Sequence, residues 1–183
     1  VRIYHPFSLL KAHRYNTRDH RKIMVVDGKV GFSGGSGVAD AWLGNAHTSK
    51  HWRDNHYRLT GPVVAQLQQG FNENWVKAGG SPLSGPAFYP PLRRTGSMKA
   101  HAYNSAPLDD QFTIPHLYRQ AFASARKSIV IENSYFYLDR PMMKAILKAR
   151  KRGVHVELIL AWKYTDSWPV RYLSIYQYHK LIK

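Results

Sequence analysis

The sequence has 183 residues, enough for one to two domains and for a core that needs no staples. Its hydrophobic (44%) and aromatic (13%) content excludes a disordered chain, and the absence of cysteine excludes a disulfide scaffold, a thiolate nucleophile and a thiolate zinc site. Lys and Arg total 27 against 11 Asp and Glu, a formal charge of +16, which favours phosphate-bearing partners: nucleic acid, anionic lipid or phosphorylated small molecules.

Residues 1–5, Val1-Arg2-Ile3-Tyr4-His5, read as a strand already under way, and the last residues stop inside a helical pattern. Both features read as a piece of a longer protein, so targeting segments are not judged from it. No run reaches the ~18–20 apolar residues of a membrane span. Residues 6–19 are polar and basic and read as loop. Lys22–Val26 and Lys29–Phe32 read as the strands of a hairpin around the turn Asp27-Gly28. A tight loop, Gly34-Gly35-Ser36-Gly37, leads to a short helix expected over 38–43.

A strand is expected near Asn55–Leu59, then a helix opened by Gly61-Pro62 with Val64, Leu67, Phe71 and Trp75 on its core face. Residues 79–97 are rich in Gly, Pro and Ser, and 81–97 is the expected linker between a first domain, 1–80, and a second, 98–183. In the second, Ala102–Ser105 reads as a strand. Pro115–Lys127 reads as a helix with Tyr118, Ala121, Phe122 and Ala125 inward, and Ser128–Glu132 as a buried strand. Pro141–Arg152 reads as a helix, Val154–Leu160 as a parallel-type strand and 168–183 as a helix. The alternation of strand and helix predicts the α/β class.

The chemistry concentrates in His20-Arg21-Lys22 with Asp27 five residues after the lysine. On a strand, His20 and Lys22 share a face. An imidazole can attack phosphorus while an ammonium holds the phosphoryl oxygens. Asp27 has a plainer reading as a turn residue. Gly34, Gly35 and Ser36 offer backbone amides at an expected helix start, an anion cradle, although such glycines also make ordinary turns.

The stretch HRKIMVVDGKVGFSGGSGVADAW resembles the HKD motif of the phospholipase D superfamily. HWRDNHYRLTGPVVAQLQQGFNENW, LYRQAFASARKSIVIENSYFYLD and AILKARKRGVHVELIL resemble, more loosely, the segments that follow it in the cardiolipin synthase branch. The resemblance covers nearly the whole chain. It implies a layered α/β fold with a mostly central mixed sheet flanked by helices. It also implies two HKD motifs meeting at a pseudo-twofold axis, and phosphatidyl transfer through a phosphohistidine without metal or other cofactor. His20, Lys22 and Asp27 match the catalytic positions. Gly37 stands where many members carry an asparagine, and a second motif is absent: His179 is followed two positions on by Leu181 rather than a lysine.

The chain therefore reads as the end of one half and the start of the next, and half a site is expected of it unless a second half or a homodimer partner completes it. The implied partners are an anionic phospholipid of the phosphatidylglycerol kind and a membrane surface, at the cytoplasmic membrane. Phospholipid hydrolysis, nucleic-acid cleavage and a catalytically silent phosphate-binding module are the alternatives.

A catalytic imidazole needs a carboxylate on its second nitrogen. Asp27, Asp40 and Asp54 are candidates, and Asp54 is favoured because an Asp shortly downstream of the motif often orients the histidine in this family. His5 and His13 rank lower as isolated loop histidines. Glu132-Asn133 reads as a strand-end cap, and the basic set Lys144, Lys148, Lys151 and Arg152 as a solvated helix face that can touch anionic lipid. His47, His51 and His56 lack a metal-ligand pattern, so no metal is expected.

Overall fold

In the computed structural model the described residues are 1–4, 19–105, 113–161, 165 and 167–182. They form two compact units, Val1–Asp109 and Asp110–Lys183.

The first unit is built on an antiparallel sheet of β1 (Ile23–Val26), β2 (Val30–Gly34) and β3 (His56–Thr60), in that order. Asp27 and Gly28 both take positive φ, 53° and 64°, and the Lys29 N–H donates to the Val26 carbonyl at 2.9 Å. This is the type I′ turn that Asp-Gly favours, because Asp tolerates the left-handed region and Gly enters it freely. Pairing runs from Val26↔Val30 to Ile23↔Ser33, and on the other side of β2 from Val30↔Thr60 to Gly34↔His56.

Helix α1 (Val63–Lys77) packs on this sheet through buried Val63, Val64 and Leu67. Gly31 lets it close in: a Cβ there would stand 2.6 Å from Leu67 Cδ1. Phe71 and Trp75, expected in the core, stack on each other at 6.1 Å instead, and Phe71 is exposed. Two other expectations change. Residues 1–4 form no strand, and the expected helix over 38–43 is only a 3-10 turn, Asp40–Trp42.

The Gly/Pro-rich segment lies along the first unit. The Asn72 amide binds the Leu83 N–H (2.9 Å), the Leu83 carbonyl (3.1 Å) and the Tyr89 hydroxyl (3.2 Å), and the Thr60 and Thr95 hydroxyls meet at 2.9 Å. No strand forms over 102–105. The Ala102 N–H donates instead to a side chain, Gln66 Oε1, at 2.7 Å.

The second unit holds α2 (Thr113–Ser124), β4 (Ser128–Asn133), α3 (Arg140–Lys151), β5 (His155–Leu160) and α4 (Trp168–Leu181). β4 and β5 pair in parallel across the α3 crossover, from Ser128↔His155 to Asn133↔Leu160. The Asp139 side chain caps α3 by accepting from the Met142 N–H at 2.7 Å, Pro141 sits in its first turn, and Gly153 ends it at φ 86°. Phe122, Ile129, Phe136, Leu138, Ile146, Ala149 and Val154 make the core. Tyr118 and Ala121 remain exposed, so α2 buries a narrower stripe than its periodicity predicts.

The unit also depends on a polar contact. The Gln177 side chain of α4 accepts from the Leu138 N–H and donates to the Leu138 carbonyl, both at 2.7 Å and both buried. Gln177→Leu keeps the volume but orphans both backbone groups. We expect it to destabilise the second unit by about 1–3 kcal/mol, read as a lower urea midpoint at unchanged slope.

Candidate active site

His20 and Lys22 lie in the approach to β1. His20 is exposed and Lys22 half-buried, and the Lys22 Nζ donates to the His20 carbonyl at 3.2 Å. The residue between them faces elsewhere. Arg21 Nε meets Asp19 Oδ1 at 3.0 Å, the Arg21 N–H donates to the same oxygen at 3.2 Å, and Nη1 reaches Glu73 Oε2 of α1 at 3.4 Å. The other Asp19 oxygen accepts from the Asn74 amide of α1. Arg21 is thus tied to the helix side of the sheet. If the alternation of β1 runs back through residues 20–22, His20 and Lys22 take the side away from α1. That side is open: Met24 and Val26, of the same parity, are exposed. Lone surface ion pairs add little stability, but this set joins four side chains and fixes which way the motif faces.

The β1–β2 pairing ends at Ile23↔Ser33, just short of Lys22 on one strand and of Gly34 on the other. The Gly35 N–H donates to the Asn55 carbonyl at 3.1 Å, extending the β2–β3 ladder one residue past Gly34↔His56. This amide belongs to the sheet and is not free to cradle an anion. The glycine pair has a steric reason instead. A Cβ on Gly35 would collide with the Asp54 carboxylate, and one on Gly34 would collide with the Asn55 carbonyl and stand 2.6 Å from His56 Cα and 2.8 Å from His56 Nδ1. Ser36 follows, half-buried.

Asp54 does not follow the parity of His56 and Arg58. It precedes β3, its carboxylate lies against Gly35, and its Oδ1 accepts from the Asn55 N–H at 2.7 Å. Asp27 is exposed in the hairpin turn. Among the described residues, neither Asp27 nor Asp54 is hydrogen-bonded to His20. Asp40 sits exposed in its 3-10 turn.

The lower-ranked groups resolve locally. His5 and His13 lie outside the described residues. Asn133 Oδ1 accepts from the Tyr135 N–H at 2.8 Å, a cap at the end of β4. Arg152 leaves the basic face: its Nη2 donates to the carbonyls of Phe122 and Ala123 at 3.0 Å and of Ala125 at 3.3 Å, satisfying the end of α2. Sequence reasoning missed the group Asp19, Arg21, Glu73 and Asn74. The available signal was the opposite charge of Asp19 and Arg21 two residues apart, on the parity that His20 and Lys22 do not use.

The family model described as "Cardiolipin synthase, PLD-like domain" matches residues 118–183. Among curated proteins, the chain is similar to cardiolipin synthase A of Pseudomonas putida, 39% identical over 147 residues that make up 79% of this chain and 30% of that protein. For cardiolipin synthase A of Pseudomonas fluorescens the identity is 38% over 153 residues, 82% of this chain and 31% of that one. For the Pseudomonas aeruginosa protein it is 36% over 160 residues, 85% and 32%. The chain spans about a third of the length of the curated relatives it matches. The family model and these relatives agree in likening the chain to the phospholipase D superfamily.

Proposed function

We propose that this chain supplies one imidazole and one ammonium to a phosphatidyltransferase of the cardiolipin synthase type. What supports the reading is the position of His20 and Lys22 in the approach to β1, with the Lys22 ammonium on the His20 carbonyl and Arg21 tied to Glu73 of α1. An imidazole nitrogen attacks the phosphorus of a phosphatidylglycerol, and the bond from phosphorus to the glycerol oxygen breaks. The glycerol leaves as the alcohol, with a proton from a second imidazole. That second imidazole then takes the proton of a hydroxyl on another phosphatidylglycerol, whose oxygen attacks the phosphohistidine and frees the first ring. Lys22 neutralises the non-bridging oxygens.

His20 is one of the two imidazoles. The other comes from another half of the protein or from a second copy, because His-x-Lys-x4-Asp occurs once in this sequence. Asp27 serves as a positioning residue through its turn, Ser36 opens the loop after β2, and Asp54 backs the glycine pair from which that loop departs. The two-domain division, with a first half ending before 81–97 and a second beginning after it, belongs to the same reading. A chain of formal charge +16 suits work on an anionic bilayer, at the cytoplasmic membrane. No helix among the described residues is long and apolar enough to cross a membrane.

The whole protein, incubated with labelled phosphatidylglycerol and a chelator, is expected to form cardiolipin and release glycerol. The sequence offers lysine rather than carboxylate clusters for charge neutralisation. Cleavage of single-stranded nucleic acid without lipid turnover would assign the same residues to a nuclease. Phosphatidic acid as the sole product would make the enzyme a hydrolase.

A further inference from the structure

Helix α4 buries two polar side chains, packs Tyr178 and Leu181 against the core of its unit, and leaves a row of aromatic side chains exposed. Its two buried residues are Ser174 (2% exposed) and Gln177 (7%), and both are used: the Ser174 hydroxyl donates to the Phe136 carbonyl at 2.7 Å, and Gln177 brackets Leu138. The outer ridge carries Trp168, Tyr172 and Tyr176, exposed by 69%, 62% and 64%, each four residues from the next. At this spacing they stand one above another along the helix. The Trp168 and Tyr172 rings meet edge to face at 6.1 Å and 86°, and the Lys180 ammonium, four residues further on, lies 4.3 Å over the Tyr176 ring. Leu173, also exposed, flanks the row. From Trp168 to Lys180 the ridge is about 18 Å long at 1.5 Å per residue.

Single exposed apolar side chains need no explanation, but three large rings in one unbroken row do. Their chemistry narrows the occupant. Tyr and Trp each combine an apolar ring with a polar group that stays wet, the pattern of residues at the boundary between water and hydrocarbon. Lys180 carries its charge on a flexible apolar stem that can follow the rings inward while its head stays at phosphate level. No acidic residue occurs anywhere in Trp168–Leu181, within a chain of formal charge +16.

We propose that the ridge of α4 is a docking surface for an anionic lipid bilayer. Trp168, Tyr172 and Tyr176 enter the headgroup region, and Lys180 exchanges its contact with Tyr176 for a lipid phosphate. The inference rests on the lipid-directed reading above for the nature of the surface. Its test reads binding rather than turnover, so the two can fail separately.

The chain contains no cysteine, so Tyr172→Cys accepts one environment-sensitive fluorophore at one place. Vesicles of phosphatidylcholine with phosphatidylglycerol are expected to shift its emission to the blue, and pure phosphatidylcholine vesicles to leave it nearly unchanged. In co-sedimentation with the anionic vesicles, the triple variant Trp168→Ser, Tyr172→Ser, Tyr176→Ser is expected to bind at least about tenfold more weakly, with an unchanged far-ultraviolet circular dichroism spectrum.

Equal binding by the triple variant, or a label that stays in water while the protein is vesicle-bound, would overturn the proposal. A label already shielded before vesicles are added would overturn it too, and would give the ridge to a second copy of the chain. Should the triple variant fail to fold, the Tyr172→Cys emission decides alone.

Discussion

His20→Ala in the whole protein is expected to lower cardiolipin formation by at least about 10²–10⁴-fold, the range that a positioned proton-transfer group contributes, and by more if His20 is the nucleophile. The same substitution should move stability by no more than about 0.5 kcal/mol, because His20 is exposed and no hydrogen bond among the described residues uses its ring. The split between the two readouts is the informative part. A histidine that merely fills a surface would change neither, and one that holds the hairpin would change both.

Lys22→Ala is the natural companion, since its ammonium also holds the His20 carbonyl at 3.2 Å and its loss frees the approach to β1 as well as removing a charge. Turnover and thermal unfolding measured on the same preparations suffice. A His20→Ala enzyme within tenfold of wild type would remove His20 from the chemistry, whatever its place in the motif.

The parts of this protein that sequence alone predicts are those whose signals are local. Asp27-Gly28 announces its turn because few dipeptides take two positive φ values cheaply, and the turn fixes the hairpin that follows. Asp139, Pro141 and Gly153 mark both ends of α3 by backbone chemistry within a few residues. The shared face expected of His20 and Lys22 rests on alternation, and both residues lie ahead of Ile23, where β1 begins.

What depends on distant partners is not legible in this way. Ala102–Ser105 has the composition of a strand, but the Ala102 N–H goes to the Gln66 side chain and the Asn104 side-chain amide to the Gln66 carbonyl. Phe71 has the spacing of a core residue, yet it lies beyond the stripe that the short sheet covers. The glycine pair is the sharpest case. Read alone it looks like an anion cradle, and only the β2–β3 register, with Asn55 some twenty residues on, reveals that one of its amides is already taken.

That register makes Gly34 and Gly35 unequal, and alanine at each should show it. A Cβ on Gly34 meets main chain: the Asn55 carbonyl, and His56 Cα at 2.6 Å. Neither can rotate away, so β2 and β3 must separate at the point where the sheet hands over to the Ser36 loop. Gly34→Ala is expected to cost about 1–3 kcal/mol or more, the cost of forcing extra volume into a packed site, and to lower turnover as the start of the Ser36 loop shifts.

A Cβ on Gly35 meets only the end of the Asp54 side chain, which can swing out once it gives up the Asn55 N–H. Gly35→Ala should therefore be the milder change, of the order of one hydrogen bond, about 0.5–1.5 kcal/mol. Its cost should also be coupled to Asp54. In the Asp54→Ala background the added methyl meets no carboxylate, so the two substitutions together should destabilise by clearly less than the sum of each alone. Denaturant unfolding of the four proteins in that cycle gives the coupling directly. Strict additivity would mean that Asp54 does not occupy the space above Gly35, and a Gly34→Ala protein as stable as wild type would mean that β2 and β3 are not paired as close to the Ser36 loop as Gly34↔His56 requires.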